Sequence, residues 1–242
     1  MNDAIIEAAS VHKTLGAGAG QVEALRGIDL SLQRGELALL MGPSGSGKTT
    51  LLLVLGCMLT PTSGSVTICG QPTKDVDKEG LAKLRREHIG FVFQSYHLFP
   101  TLTAAQNVQL ALDIRGERGR AAVKKSREAL AMVGLQNKVH SLPQQLSGGE
   151  QQRVAIARAI VANPSAVLAD EPTAALDGEN GQAIMKILKS IAQERSRAIM
   201  VVTHDPRVVP FADRIIHIED GRLVDANESE YKHLPKVTAL KM

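Results

Sequence analysis

The sequence predicts an α/β fold: a sheet core flanked by antiparallel strands and interrupted by an inserted helical lobe. Three observations predict it. Short apolar runs ending in polar residues recur as "ELALLMG" (Glu36–Gly42), "SAVLADEP" (Ser165–Pro172) and "AIMVVTHD" (Ala198–Asp205). The first run meets a glycine-rich turn and then helix formers, "KTTLLLVLGCM". From about Ser95 to Asn163 no strand pattern is found. Strands that alternate with helices, with polar residues at their C-terminal ends, place a site along that sheet edge.

In chain order, the first ~30 residues and "GSVTICG" (Gly64–Gly70) read as antiparallel strands beside the core. Glu36–Gly42 is a buried-type strand, followed by a loop and a helix. "RAAVKKSREALAMVGL" (Arg120–Leu135) carries apolar residues at helical spacing and is predicted to end at Gly134. Ser147 and Glu150 have the S-x-x-E spacing of a capping box before an Ala-rich helix. "RIIHIEDGRLV" (Arg214–Val224) predicts a hairpin with "EDG" as its turn. One domain is expected over 1–225, with its core in 1–94 and 164–225 and the helical lobe in about 95–163. The tail 226–242 is polar, mixed in charge and unassigned, and no internal repeat is seen.

Composition excludes several classes. The 242 residues suffice for one buried core, and 44% apolar with 22% charged residues is ordinary for a globular chain. A net charge of +3 is too mild to argue for nucleic acid. With no Trp, two Tyr and four Phe, the chain lacks the aromatics on which single-strand readers stack bases. Cys57 and Cys69 show no metal spacing and suggest free thiols in a reducing compartment. "MNDAIIEAASVHK" has no signal-peptide core, and the longest apolar run, Leu51–Leu59, falls far short of the ~20 residues that span a bilayer. A soluble chain is expected, with any membrane role arising through a partner.

"GPSGSGKT" fits G-x-x-x-x-G-K-[ST] at every position: Gly42, Pro43, Ser44, Gly45, Ser46, Gly47, Lys48 and Thr49, with Thr50 following. The glycines let backbone N–H groups wrap a β-phosphate, Lys48 reaches the β- and γ-phosphates, and the Thr49 hydroxyl ligates Mg²⁺. The next helix aims its positive end at the anion. Asp170 ends an apolar strand and would hold Mg²⁺ through water, while Glu171 beside it could polarise an attacking water. Without the upstream loop, a solvated acidic pair would be the better reading. A lone His204 is more often structural, but it ends another sheet strand, where a γ-phosphate contact would be made. Gln94 sits between an apolar run and the helical lobe, and its plain reading is a polar junction residue.

Gly148 and Gly149 are not explained by the capping box. Each costs a helix interior ~1 kcal/mol relative to Ala. Glycine serves where backbone must approach a ligand, and bare N–H groups with a Ser hydroxyl make an anion site.

The stretch "LSGGEQQR" resembles the signature motif of ATP-binding-cassette ATPases. The other motifs follow in family order over about residues 5–225: Walker A at Gly42–Thr49, Q-loop at Gln94, signature at Leu146–Glu150, Walker B at Val167–Asp170 with Glu171, D-loop at Ala174–Asp177 and switch His204. The resemblance implies a P-loop NTPase (RecA-like) core with an antiparallel β subdomain and an inserted helical subdomain. It implies ATP and Mg²⁺ as ligands, with Thr49, Asp170 and Gln94 serving Mg²⁺, Glu171 activating water and His204 sensing the γ-phosphate. It also implies a second copy paired head to tail. Ser147, Gly148, Gly149 and Glu150 of one copy would then close on the ATP held by the other, beside Asp177.

"LADEPT", "LRREHIGFVFQ", "LFPTLTAAQNV" and "TPTSG" are most similar to the lipoprotein-release and macrolide-export branch, and "EPTAALD" resembles heterocyst-type glycolipid export ATPases. That branch implies a place on the inner face of the cell membrane, through a permease with a large extracytoplasmic domain and with a periplasmic adaptor as a further partner. Cargo would be a lipid, lipoprotein, glycolipid or drug-like molecule. Ser95–Thr103 would be the coupling surface. An importer ATPase, for example for amino acids, and a soluble iron–sulfur-assembly cassette are the alternatives. Nucleic-acid cassettes are disfavoured, because no coiled-coil insertion, zinc cluster or second cassette is present. The sequence departs from the family at Leu15, where an aromatic ring usually stacks under adenine; no aromatic precedes Phe91. Weaker base discrimination is expected there, with the glycine-rich Gly16–Gly20 loop ordering on nucleotide.

Overall fold

The computed structural model describes residues 3–224, so the tail 226–242 lies outside the described residues. The chain opens with two long strands, β1 (Ala4–Leu15) and β2 (Val22–Gln33), then β3 (Leu37–Met41) and helix α1 (Lys48–Leu55). β4 (Ser63–Ile68), β5 (Gln71–Pro72), α2 (Lys78–His88) and β6 (Ile89–Val92) follow. Next come α3 (Ala104–Asp113), α4 (Gly119–Met132) and α5 (Gly148–Ile160), with no strand between β6 and the following β7 (Ala166–Asp170). The described chain ends with α6 (Gly178–Arg195), β8 (Ala198–Val202), β9 (Arg214–Glu219) and β10 (Arg222–Val224).

Two sheets result. An antiparallel sheet runs β2-β1-β4-β5, and a six-stranded sheet runs β10-β9-β3-β8-β7-β6. In the second, all neighbours are parallel except the β9–β10 hairpin. Every residue of β3 and β8 is buried, the mark of a parallel strand covered on both faces. Period-two alternation sorts their side chains. Leu37, Leu39, Val167, Ala169, Ile199 and Val201 face a core shared with α3, α4, α5 and α6. Ala38, Leu40, Leu168, Met200 and Val202 face the opposite core, shared with α1 and the antiparallel sheet. The six-stranded sheet is therefore a wall between two cores, and its C-terminal edge carries the candidate site.

Several elements were not foreseen. In α2 only Leu84 is buried, so no apolar stripe announces the helix; Asp77 caps it by accepting from the Gly80 N–H at 2.8 Å. β1 and β2 pair through several register shifts, and Ser10 takes φ +47° with its N–H donating to Asp29 Oδ1. The antiparallel strands expected over the first ~30 residues are present, and only these bulges depart from simple alternation. α4 ends as expected at Gly134, which has φ +74°; Leu135 N–H donates to Leu130 O and Gly134 N–H to Ala131 O, a Schellman motif. The predicted hairpin turn is formed by Asp220 (φ +46°) and Gly221 (φ +77°), as a two-residue type I′ turn requires. Both cysteines are free.

Candidate functional site

β3 delivers the chain at Met41 to the phosphate loop, and α1 leaves it. Gly42, Gly45 and Gly47 have φ of +155°, +80° and +103°. Two of them are also crowded: a Cβ on Gly42 would fall 2.1 Å from Ile218 O, and one on Gly47 2.5 Å from Ala24 O. The loop is thus wedged between β9 and β2. Gly221 N–H donates to Ser46 O, and Arg26 N–H to Gly221 O, which ties the loop to the hairpin turn and to the antiparallel sheet. The Ser46 hydroxyl is buried without a partner, and Gly47 caps α1 with no side-chain acceptor. Backbone N–H groups at this helix start are accordingly open to an anion.

Lys48 Nζ donates to Gly42 O at 2.9 Å and Pro43 O at 2.6 Å. Burial lowers its pKa, opposed by the charges of Glu171 and Asp170. Thr49 Oγ1 lies 3.4 Å from Asp170 Oδ1. Burial pushes the Asp170 carboxyl up; the Thr49 hydrogen bond lowers it, neighbouring Glu171 raises it and Lys48 lowers it. Pro43, Ser44 and Gly45 are exposed, and Thr50 is half-buried in the first turn of α1.

After Asp170 the chain leaves β7 by a left-handed step. Glu171 has φ +48°, and its N–H donates to Val202 O at 2.9 Å. This step aims its carboxylate at the chain leaving β8, where His204 Nδ1 lies 2.8 Å from Glu171 Oε1. His204 is exposed while Glu171 is mostly covered. One sheet edge thus brings Lys48, Thr49, Asp170, Glu171 and His204 together. Gln94 follows β6 at the same edge and is exposed. Left-handed backbone costs a side-chain-bearing residue ~1–2 kcal/mol, and the turn after Gln94 holds two such residues, Tyr96 and His97.

Leu15 ends β1, is 37% exposed and pairs with Val22, itself exposed. Val22 stands two residues along β2 from Ala24, whose carbonyl touches Gly47. Leu15 is thus on the strand pair that braces the phosphate loop, two residue pairs from that contact. Gly18–Gly20 forms a short 3-10 turn in the connection between β1 and β2.

Ser147, Gly148, Gly149 and Glu150 stand apart from this group. Ser147 Oγ accepts from the Glu150 N–H at 3.3 Å, and Glu150 Oε2 accepts from the Ser147 N–H at 2.8 Å, completing the capping box. The Ser147 N–H and Lys138 hold the Glu150 carboxyl below its ordinary range. α5 packs on α3, α4, α6 and β6, whereas α1 packs on β1, β2, β7 and β8. The two glycines have reasons within the chain. They occupy the first turn, not the interior, of α5. A Cβ on Gly149 would fall 2.8 Å from Asn180 Oδ1, and one on Gly148 3.0 Å from Tyr96 Oη. Asp177 fixes Asn180 by accepting from its backbone N–H at 2.9 Å and its Nδ2 at 2.8 Å. Side-chain tips of the same chain thus lie close over both glycines. Asn180 and Tyr96 were not singled out by the sequence, since neither position belongs to a motif with its own chemistry.

A phosphate loop, a carboxylate pair and a histidine along the C-terminal edge of a parallel sheet define a nucleoside-triphosphate-hydrolysing class of protein. The comparisons with known proteins narrow the class. A family model described as "ABC transporter" matches residues 25–174. The chain is 44% identical over 221 residues to the macrolide export ATP-binding/permease protein MacB of Salmonella choleraesuis (strain SC-B67). It is 43% identical over 220 residues to MacB of Escherichia coli (strain K12). Each match covers 91% of this chain and 34% of the relative, so the chain spans about a third of the length of those proteins. Among solved structures, the dimeric structure of MJ0796, a bacterial ABC transporter cassette, is similar at 44% identity with a TM-score of 0.83, over 91% of this chain and 97% of that one. A structure of MJ0796 in a post-hydrolysis state bound to ADP and Pi is similar at 43% identity and the same TM-score. The chain belongs to the ABC transporter family and is an ATP-binding cassette ATPase of that family.

Proposed function

We propose that this cassette energises export or extraction of a lipid, lipoprotein, glycolipid or drug-like cargo. It would do so as a head-to-tail ATP-bound homodimer on the inner face of the cell membrane, beneath a separate permease with a large extracytoplasmic domain and an associated periplasmic adaptor. The placement of Glu171 carries the hydrolytic part of the reading: it is aimed by a left-handed backbone step and oriented by His204 beside Asp170 and Lys48. The MacB relatives support the export part.

The loop N–H groups and Lys48 hold the β- and γ-phosphates. Glu171 accepts a proton from the attacking water, and His204 orients the carboxylate and reports the γ-phosphate. Thr49 and Asp170 fit Mg²⁺: they offer two hard oxygens on one side of the site, and that ion usually completes its shell with phosphate and water. A cation there would also relieve the burial of Asp170. Bound there with help from Gln94, Mg²⁺ would neutralise charge on the phosphates. Ser147, Gly148, Gly149 and Glu150, beside Asp177, would close on the partner copy's ATP.

Among the described residues no helix is long and apolar enough to cross a membrane. We assign the docking of a membrane partner to a surface groove. A groove of about 530 Å³ between the sheet core and the helical lobe is lined by Met58, Arg86, Phe91, Phe93, His97 and Ile114, among others. Within the Ser95–Thr103 surface, Phe99 is exposed, yet its backbone is held on both sides by the buried Asn107.

The test is Glu171→Gln. It should bind ATP, lose turnover, accumulate as a dimer with ATP and co-purify a permease from gently solubilised membranes. Substantial remaining turnover removes Glu171 from the proton-accepting role. A periplasmic binding protein in the complex would point to import, and recovery with soluble partners alone would overturn the transport reading.

A further inference from the structure

The segment after Gln94 has a shape its own residues do not favour. Tyr96 (φ +58°) and His97 (φ +48°) are successive side-chain-bearing residues in the left-handed region. Tyr96 N–H donates to Phe93 O at 3.3 Å and His97 N–H to Ser95 O at 2.6 Å, and these bonds leave the Tyr96 and His97 carbonyls to be satisfied from elsewhere. Arg158, in the last turn of α5, satisfies both. Its Nη1 donates to His97 O at 2.5 Å and its Nη2 to Tyr96 O at 2.7 Å. A planar guanidinium can take two neighbouring carbonyls as one fork, a geometry an ammonium lacks. The first turn of α5 touches the same segment, with Gly148 against the Tyr96 hydroxyl.

We propose that Arg158 is a positioning residue: its guanidinium holds the Ser95–His97 turn in its left-handed form, and thereby sets where Gln94 stands. The turn is joined to β6 by the chain but gripped by α5, the helix that begins with the second glycine-rich motif. Its grip is two charge-assisted hydrogen bonds, which are stronger than neutral ones. The inference rests on the role proposed above for Gln94 beside the nucleotide.

The test combines steady-state ATP hydrolysis with amide exchange for the purified chain and its Arg158→Lys, His97→Gly and double variants. Lysine keeps the charge but not the fork. Arg158→Lys is expected to lower kcat about tenfold with ATP KM changed less than about twofold. It should also speed exchange over residues 93–99 but not over 150–157. Glycine enters the left-handed region freely. In the His97→Gly background the same substitution is therefore expected to lower kcat by only about threefold or less, a non-additive pair. Equal losses in both backgrounds, or unchanged exchange over 93–99, overturn the proposal. Gln94→Ala separates the two claims: if it leaves kcat intact, the role of Gln94 falls, while exchange over 93–99 still decides whether Arg158 holds the turn.

Discussion

Asp170 answers to two demands that conflict. Burial raises its pKa, so its protonated form folds better than its charged form. The stability of the ligand-free chain should therefore fall as pH rises from 3.8, the ordinary value, through the raised pKa of the folded state. Asp170→Asn removes the partly buried charge and is expected to raise the stability of the nucleotide-free chain. The same change should abolish Mg²⁺-dependent hydrolysis. Paired melting curves and phosphate-release assays check both halves, and a lowered melting temperature would refute the argument. Leu15 poses a separate question. Exposed at the end of β1, it offers apolar contact without a π-face, and base stacking is worth ~1–3 kcal/mol in nucleic-acid binders. Leu15→Tyr is expected to tighten ATP binding and sharpen the preference for ATP over GTP; unchanged competition between the two would sink the idea.

At the scale of elements, Gly134 offers a clean measurement. A Cβ there meets nothing within 4 Å, so Gly134→Ala is charged with backbone strain alone, about 1 kcal/mol at φ +74°. Chemical denaturation should show that loss without loss of hydrolysis. The same glycine shows why α4 was legible: an apolar stripe and its stop signal lie within one short window. β3, β7 and β8 were legible because strands buried on both faces read as unbroken apolar runs. α2 was not, since it buries one leucine, and β6 was not, since its four residues include Gly90. Site residues divide the same way. The phosphate loop and the Asp170–Glu171 pair are contiguous and readable. The Glu171–His204 bond joins residues 33 apart through a left-handed step that no residue type announces. Arg158 was invisible because its acceptors are main-chain carbonyls, which carry no sequence signal.

For the whole molecule, the six-stranded sheet separates a helical side from a strand-covered side, and the groove of Met58 and Ile114 opens where the helical lobe meets the core. Both side chains are exposed and distant in role from phosphate chemistry. Met58→Glu and Ile114→Glu are expected to leave hydrolysis by the purified chain unchanged while abolishing recovery with membranes, because a buried unpaired charge at an interface is costly. Full recovery of both variants with membranes would remove the groove as the docking surface. The phosphate loop shows the opposite design. It is braced by β9 through Gly42, by β2 through Gly47 and by the hairpin turn through Ser46. A loop held this way has little conformational entropy left to surrender on binding. Nucleotide capture there should be enthalpy-driven and fast, limited by diffusion and not by loop closure.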